Sequence, residues 1–137
     1  MDKIQLFVYG TIGDAEIFER LLKRKPKYRP ALLKDYQLFI HPGNAYLFVK
    51  PVSGETVGGK IVEIDANELM ILDYWEDLPL YARELLEVET EGLRQKAFVY
   101  TQNDTVGIPA KQGHVKDREK IMAEIDEFLK WVDTNFQ

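Results

Sequence analysis

Ile4, Leu6 and Val8 alternate with Gln5, Phe7 and Tyr9 at the start of the chain, the period-two pattern of a β-strand. The pattern stops at Gly10-Thr11-Ile12-Gly13. From about Asp14 the apolar positions Ile17, Phe18, Leu21 and Leu22 follow helical spacing, and Pro26 forbids continuation. The opening therefore reads strand, glycine-containing loop, helix. Short strand patterns follow at Leu32–Ile40, ending in the turn cluster His41-Pro42-Gly43-Asn44, and at Ala45–Val49. A turn is predicted at Pro51–Gly54 and a further strand at Val57–Ile64. Its Gly58-Gly59 pair predicts a bulge or the close approach of another backbone. A second helix starts at Asp65, with Glu68 three residues on completing a capping box, and runs to about Glu76, short of Pro79. Arg83–Glu89 and Arg94–Thr101 form a predicted hairpin around Glu91-Gly92, and Gln102–Gly113 reads as a polar loop. The last helix, from about Asp117 to Asn135, sets Ile121, Ile125, Phe128, Val132 and Phe136 on one face.

The order β-α-β-β-β-α-β-β-α, with short turns between strands and few helices, predicts one α+β domain over residues 1–137. Its sheet should be antiparallel or mixed, not doubly wound. With 137 residues, 45% of them hydrophobic and 30% charged, the chain can bury a core of its own. It has no cysteine and two histidines, His41 and His114. That excludes disulfides, thiolate nucleophiles, zinc fingers, iron–sulfur clusters and a His-rich metal site. No apolar stretch is long enough to span a bilayer, and Met1–Gly10 lacks the basic start and apolar run of a signal peptide. A cytoplasmic protein with no membrane partner is expected. The net charge of −5 argues against nucleic acid as the main partner. The charge is uneven: Arg20 to Lys34 holds seven basic residues and no acidic one. This reads as a helix end whose cations complement the dipole, followed by a solvated loop; the alternative is a phosphate-binding patch.

Two places could carry chemistry. At Tyr9-Gly10-Thr11-Ile12-Gly13, a glycine after a strand permits a positive φ and the close approach of a ligand. The N–H groups opening the next helix would suit a carboxylate or phosphate. The loop lacks the Gly-Lys-Ser/Thr of a P-loop and the third glycine of a dinucleotide fingerprint, and a plain strand-to-helix turn fits it equally. The second place is Glu76. With Leu69 and Leu72 it falls in one narrow sector of the second helix, while Asp73 and Asp77 occupy a more polar stripe. A carboxylate held among apolar groups has its pKa raised, as a group that takes and returns a proton near neutrality requires. If the helix ends earlier, the same side chain simply reaches solvent. His41 reads as a turn residue and His114 as a loop residue, and Met122 and Trp131 as packing of the last helix.

Val8-Tyr9-Gly10-Thr11-Ile12 resembles the tyrosine–glycine–serine/threonine–leucine motif of the γ-glutamylcyclotransferase-like family. Leu72-Asp73-Tyr74-Trp75-Glu76 is similar to the segment carrying that family's catalytic glutamate. Tyr81-Ala82-Arg83 resembles the tyrosine–x–arginine that follows it, and Val57-Gly58-Gly59-Lys60-Ile61 the strand that precedes it. The order holds from residue 4 to about 101. Length and the threonine variant are most similar to the γ-glutamylamine branch and its small microbial relatives. Ile12 replaces the commoner leucine, Asp77 stands where a glycine usually follows the glutamate, and Gly13-Asp14-Ala15-Glu16 departs from the family pattern.

The resemblance implies a small mixed-sheet β-barrel with flanking helices. It implies a reaction that needs no metal or cofactor, in which the α-amino group of a γ-glutamyl compound attacks its own γ-carbonyl and releases 5-oxoproline. Glu76 would move the proton, and Tyr9, Gly10, Thr11 and Ile12 would hold the glutamyl group. The partner would be a small γ-glutamyl substrate, not nucleic acid, and the protein a monomer or homodimer. Another γ-glutamyl acyl transfer, or a non-catalytic binding module on the same fold, are the alternatives.

Overall fold

The computed structural model describes residues 3–41, 47–75, 82–102, 107–110 and 118–135. Strand β1 (Ile4–Val8) lies between β3 (Leu47–Ile64), to which it is antiparallel, and β5 (Leu93–Thr101), to which it is parallel. Its alternation is apolar on both sides because both of its faces are covered. Leu6 and Val8 pack with the helices, and Phe7 packs in a second cluster, inside the strand ring.

Helix α1 (Ala15–Leu22) buries Ile17, Phe18 and Leu21 and ends at Lys23, which adopts a left-handed conformation with φ 60°. Helix α2 (Ala66–Trp75) opens on the predicted capping box: Glu68 N–H donates to Asp65 Oδ1 at 2.8 Å and Asp65 N–H to Glu68 Oε1 at 3.0 Å. Helix α3 (Arg118–Asn135) contributes buried Ile125, with Ile121, Met122 and Phe128 beside it. Trp131 is largely exposed, against the rings of Tyr74 and Phe128.

Strand β2 (Arg29–Ile40) begins three residues before the predicted Leu32, and it pairs along nearly its whole length with β3. β3 is one strand where two were expected. The pairs Lys34–Thr56 and Tyr36–Pro51 flank a register shift, so Asp35 alone stands opposite residues 52–55. The predicted turn at Pro51–Gly54 is thus a bulge inside a continuing ladder. Asp35 (φ 64°) and Gly54 (φ 86°) absorb the bend, and Gly54 N–H donates to Asp35 Oδ1 at 3.0 Å. Strand β4 (Ala82–Thr90) pairs with β5 as the expected hairpin, with Glu91 and Gly92 at φ 53° and 78°, the signs a two-residue type I′ turn requires. A short β6 (Ile108–Pro109), within the predicted loop, pairs with β2.

Around the sheet the strands run β3-β1-β5-β4-β2, and β2 pairs again with β3, so five strands close into a barrel-like ring with β6 attached to β2. Among the described residues, one Cα pair, Leu32–Glu89, joins β2 to β4. Thr90 Oγ1 donates to Pro30 O at 2.8 Å and Lys34 pairs with Glu89 at 2.9 Å across that seam. One core fills the ring with Phe7, Leu33, Val49, Val57, Ile61 and Val99; the other lies between ring and helices. Three of the seven cations in the basic run stand against this chain's own carboxylates: Arg20 against Asp126 at 3.0 Å, Arg24 against Glu68 at 2.6 Å and Lys34 against Glu89.

Candidate active site

The loop after β1 is a 3₁₀ turn at Thr11–Gly13, with Gly10 before it and Asp14 after it. Gly13 N–H donates to Gly10 O at 2.9 Å and Asp14 N–H to Thr11 O at 3.1 Å. The next two carbonyls are taken by side chains. Tyr28 OH donates to Ile12 O at 2.6 Å, and Lys60 Nζ to Gly13 O at 3.0 Å. Burial, with the Asp14 carboxylate nearby, holds the Tyr28 hydroxyl well above its usual range, so it stays a donor.

Asp14 caps α1: its Oδ1 accepts from Glu16 N–H at 3.0 Å and from Ile17 N–H at 3.2 Å. The expected anion site at the start of the helix is therefore occupied by the chain's own carboxylate. What remains in this loop are the N–H groups of Thr11 and Ile12, the two first donors of a 3₁₀ turn, which have no intraturn acceptor. Nothing else among the described residues accepts from them.

Gly10 does not use a positive φ, as the sequence suggested; its φ is −127°. A Cβ there would touch only the Leu47 side chain, at an ordinary 3.6 Å. The glycine that packing requires is Gly59, where a Cβ would lie 2.5 Å from Val8 O and 2.6 Å from the Phe7 ring. Of the two options read for Gly58-Gly59, the close backbone approach is the one observed, in an unbroken ladder.

Beside the loop lies a cleft of about 400 Å³, walled by Tyr9, Gly10 and Gly13 on one side and by Thr56 to Lys60 of β3 on another, a volume suited to a small molecule. Tyr9 OH donates to Tyr100 O at 2.6 Å, which ties the loop to β5. Ile12 is buried in the helix-facing core, and neither it nor Thr11 is among the residues that wall the cleft.

Leu69 and Leu72 face the core, and α2 continues to Trp75. Glu76 itself, with Asp77 and Tyr81, lies outside the described residues, as do His114 and Phe136. Asp73 of α2 belongs to a cluster the sequence pattern missed. Asp73 Oδ1 accepts from Tyr100 OH at 2.6 Å and stands 3.2 Å from Arg83 Nε, which is buried and makes no aligned hydrogen bond. The Arg83 guanidinium also lies 5.1 Å over the Phe98 ring. The helical pattern sets Asp73 on the more polar stripe of α2. Its partners are strand residues with no local spacing to reveal them. Among the described residues, no group of His, Cys, Asp and Glu could hold a metal, and no helix is long and apolar enough to cross a membrane.

A closed strand ring flanked by helices recurs in the solved structure of a gamma-glutamyl cyclotransferase, at a TM-score of 0.68 and 16% identity over 97% of this chain and 86% of that one. The chain belongs to the gamma-glutamyl cyclotransferase, AIG2-like family, whose model matches residues 6–127, well into α3. Membership makes it a cyclotransferase-like enzyme. It is 33% identical over 134 residues to AIG2-like protein C of Arabidopsis thaliana, covering 91% of this chain and 77% of that protein. It is 34% identical over 107 residues to the gamma-glutamylaminecyclotransferase of Bos taurus, covering 70% of this chain and 64% of that protein. An AIG2-like protein from Mus musculus, known from its crystal structure, shares the fold at a TM-score of 0.70 and 24% identity, covering 88% of this chain and 94% of that one.

Proposed function

We propose that the protein releases 5-oxoproline from a γ-glutamyl amine or γ-glutamyl amino acid. The α-amino nitrogen, once deprotonated, forms a bond to the γ-carbonyl carbon. The bond from that carbon to the leaving nitrogen breaks, the attacking nitrogen gives up a second proton to become the ring amide, and the departing amine takes up both protons as it leaves. Nucleophile and electrophile belong to one molecule, so the protein has chiefly to fold the substrate on itself and pass protons from one nitrogen to the other. Glu76, directly after the last described residue of α2, is the proton carrier in this reading. The loop from Tyr9 to Ile12 binds the glutamyl group, with the N–H groups of Thr11 and Ile12 donating to its carboxylate.

The observation that carries the reading is this pair of unpartnered N–H groups, in a loop where every neighbouring carbonyl from Gly10 to Gly13 has a donor. Backbone donors so constrained recognise an anion with little reorganisation. A small molecule fits better than nucleic acid, since Arg20, Arg24 and Lys34 are already paired. The test is 5-oxoproline release by purified protein from a panel of γ-glutamyl amines, amino acids and dipeptides. Release that disappears in Glu76→Gln is expected. No release from any member overturns the reaction, and undiminished turnover by Glu76→Gln overturns the role of that residue.

A further inference from the structure

Lys60 is the one charged side chain among the described residues that wall the cleft. It also differs from the other cations near the candidate site, since Arg24 and Arg83 each stand against a carboxylate. Its ammonium donates to Gly13 O at 3.0 Å and lies 4.7 Å above the Tyr28 ring, two neutral partners that orient the charge without cancelling it. An ammonium has three donors, and the carbonyl uses one. On β3, Lys60 sits directly opposite Val8 of β1, just before the loop, so a strand and not a flexible segment fixes its stem. The result is a positioned cation at a glycine-lined cleft with donors to spare.

We propose that Lys60 selects substrates whose leaving amine carries a carboxylate, so that the preferred substrates are γ-glutamyl amino acids over γ-glutamyl alkylamines. This rests on the cyclotransferase reading above, in which the glutamyl carboxylate is already served by the N–H groups of Thr11 and Ile12. Lys60 is then left for the second acid of the substrate. Being exposed, it contributes on the scale of a solvated ion pair.

The experiment compares a γ-glutamyl amino acid with its uncharged carboxamide and with a γ-glutamyl diamine, for the wild type and for Lys60→Gln, Lys60→Arg and Lys60→Glu. The wild type should prefer the acid over the carboxamide by about fivefold in kcat/KM, through KM. Lys60→Arg should keep that preference, Lys60→Gln should erase it by slowing the acid about fivefold more than the carboxamide, and Lys60→Glu should shift preference to the cationic diamine. A purely structural role through Gly13 O would depress all three substrates alike in Lys60→Gln, and that result overturns the proposal, as does an unchanged ratio. If the wild type forms no 5-oxoproline from any of them, the reaction is wrong and Lys60 is judged by binding alone. Thermal stabilisation by the acid but not the carboxamide, lost in Lys60→Gln, still upholds it; equal stabilisation, or none, overturns it.

Discussion

The loop after β1 is held at its main-chain carbonyls, by two loop N–H groups and two side chains, whereas the end of α2 is held between side chains. In the loop, consecutive carbonyls from Gly10 to Gly13 accept hydrogen bonds, two of them from loop N–H groups. At α2, one carboxylate, Asp73, gathers a tyrosine hydroxyl from β5 and a guanidinium from β4. The first arrangement spreads its support over several partners, and the second concentrates it in one atom. Loss of a single partner should therefore cost more at α2 than within the loop, unless the loss displaces the backbone itself.

Gly59→Ala tests that exception and should have the largest effect. A Cβ only 2.5 Å from Val8 O must push β1 and β3 apart, at a cost of roughly 3 kcal/mol. Urea denaturation should show it, and a midpoint close to wild type would contradict the close approach. Asp73→Ala comes next. It removes the acceptor of Tyr100 OH and the carboxylate beside Arg83, for about 2 kcal/mol; a smaller loss than that of Asp14→Ala in the same denaturation series would reverse the comparison. Asp14→Ala removes the cap of α1 and should cost about 1 kcal/mol. It also frees the N–H groups of Glu16 and Ile17, so weaker 5-oxoproline release with α1 intact by circular dichroism is expected.

Tyr28→Phe is the mildest of the set at neutral pH, at under about 1 kcal/mol, and its signature lies in alkali. The folded pKa of Tyr28 is raised above its ordinary value of 10.0. The stabilisation from its protonated hydroxyl is thus fully present below pH 10 and is lost as pH rises beyond it, because the unfolded chain ionises first. The variant should lose less stability than wild type between neutral pH and alkali. Parallel stability–pH curves above pH 10 would rule this out.

Much of this framework is legible in local pattern. Asp65 and Glu68 announce the cap they form, Asp14 sits at the start of α1, and Glu91-Gly92 marks the hairpin turn. Residues near in sequence decide each of these. The misread features depend on distant partners. Pro51–Gly54 has the composition of a turn, yet β2 resumes pairing beyond it because Asp35 takes up the offset. The N–H groups at the start of α1 look open until the Asp14 carboxylate is seen to fold back on them. Tyr9 and Gly10 wall the cleft, while Thr11 and Ile12 do not, and Ile12 is turned into the helix-facing core. Lys60 gave no signal, since one cation in a strand acquires meaning only from the loop it reaches.

The ring closes through a narrow seam at Leu32 and Glu89. A sheet fastened so briefly should breathe there first: amide exchange at the facing segments of β2 and β4 should outpace that of β1, paired on both sides. Opened, the seam would present two unsatisfied strand edges, the templates on which chains aggregate. Lys34 and Glu89, joined across it, place a charge on each of those edges. The pair that helps latch the ring is also placed to discourage edge-to-edge addition when the latch is undone.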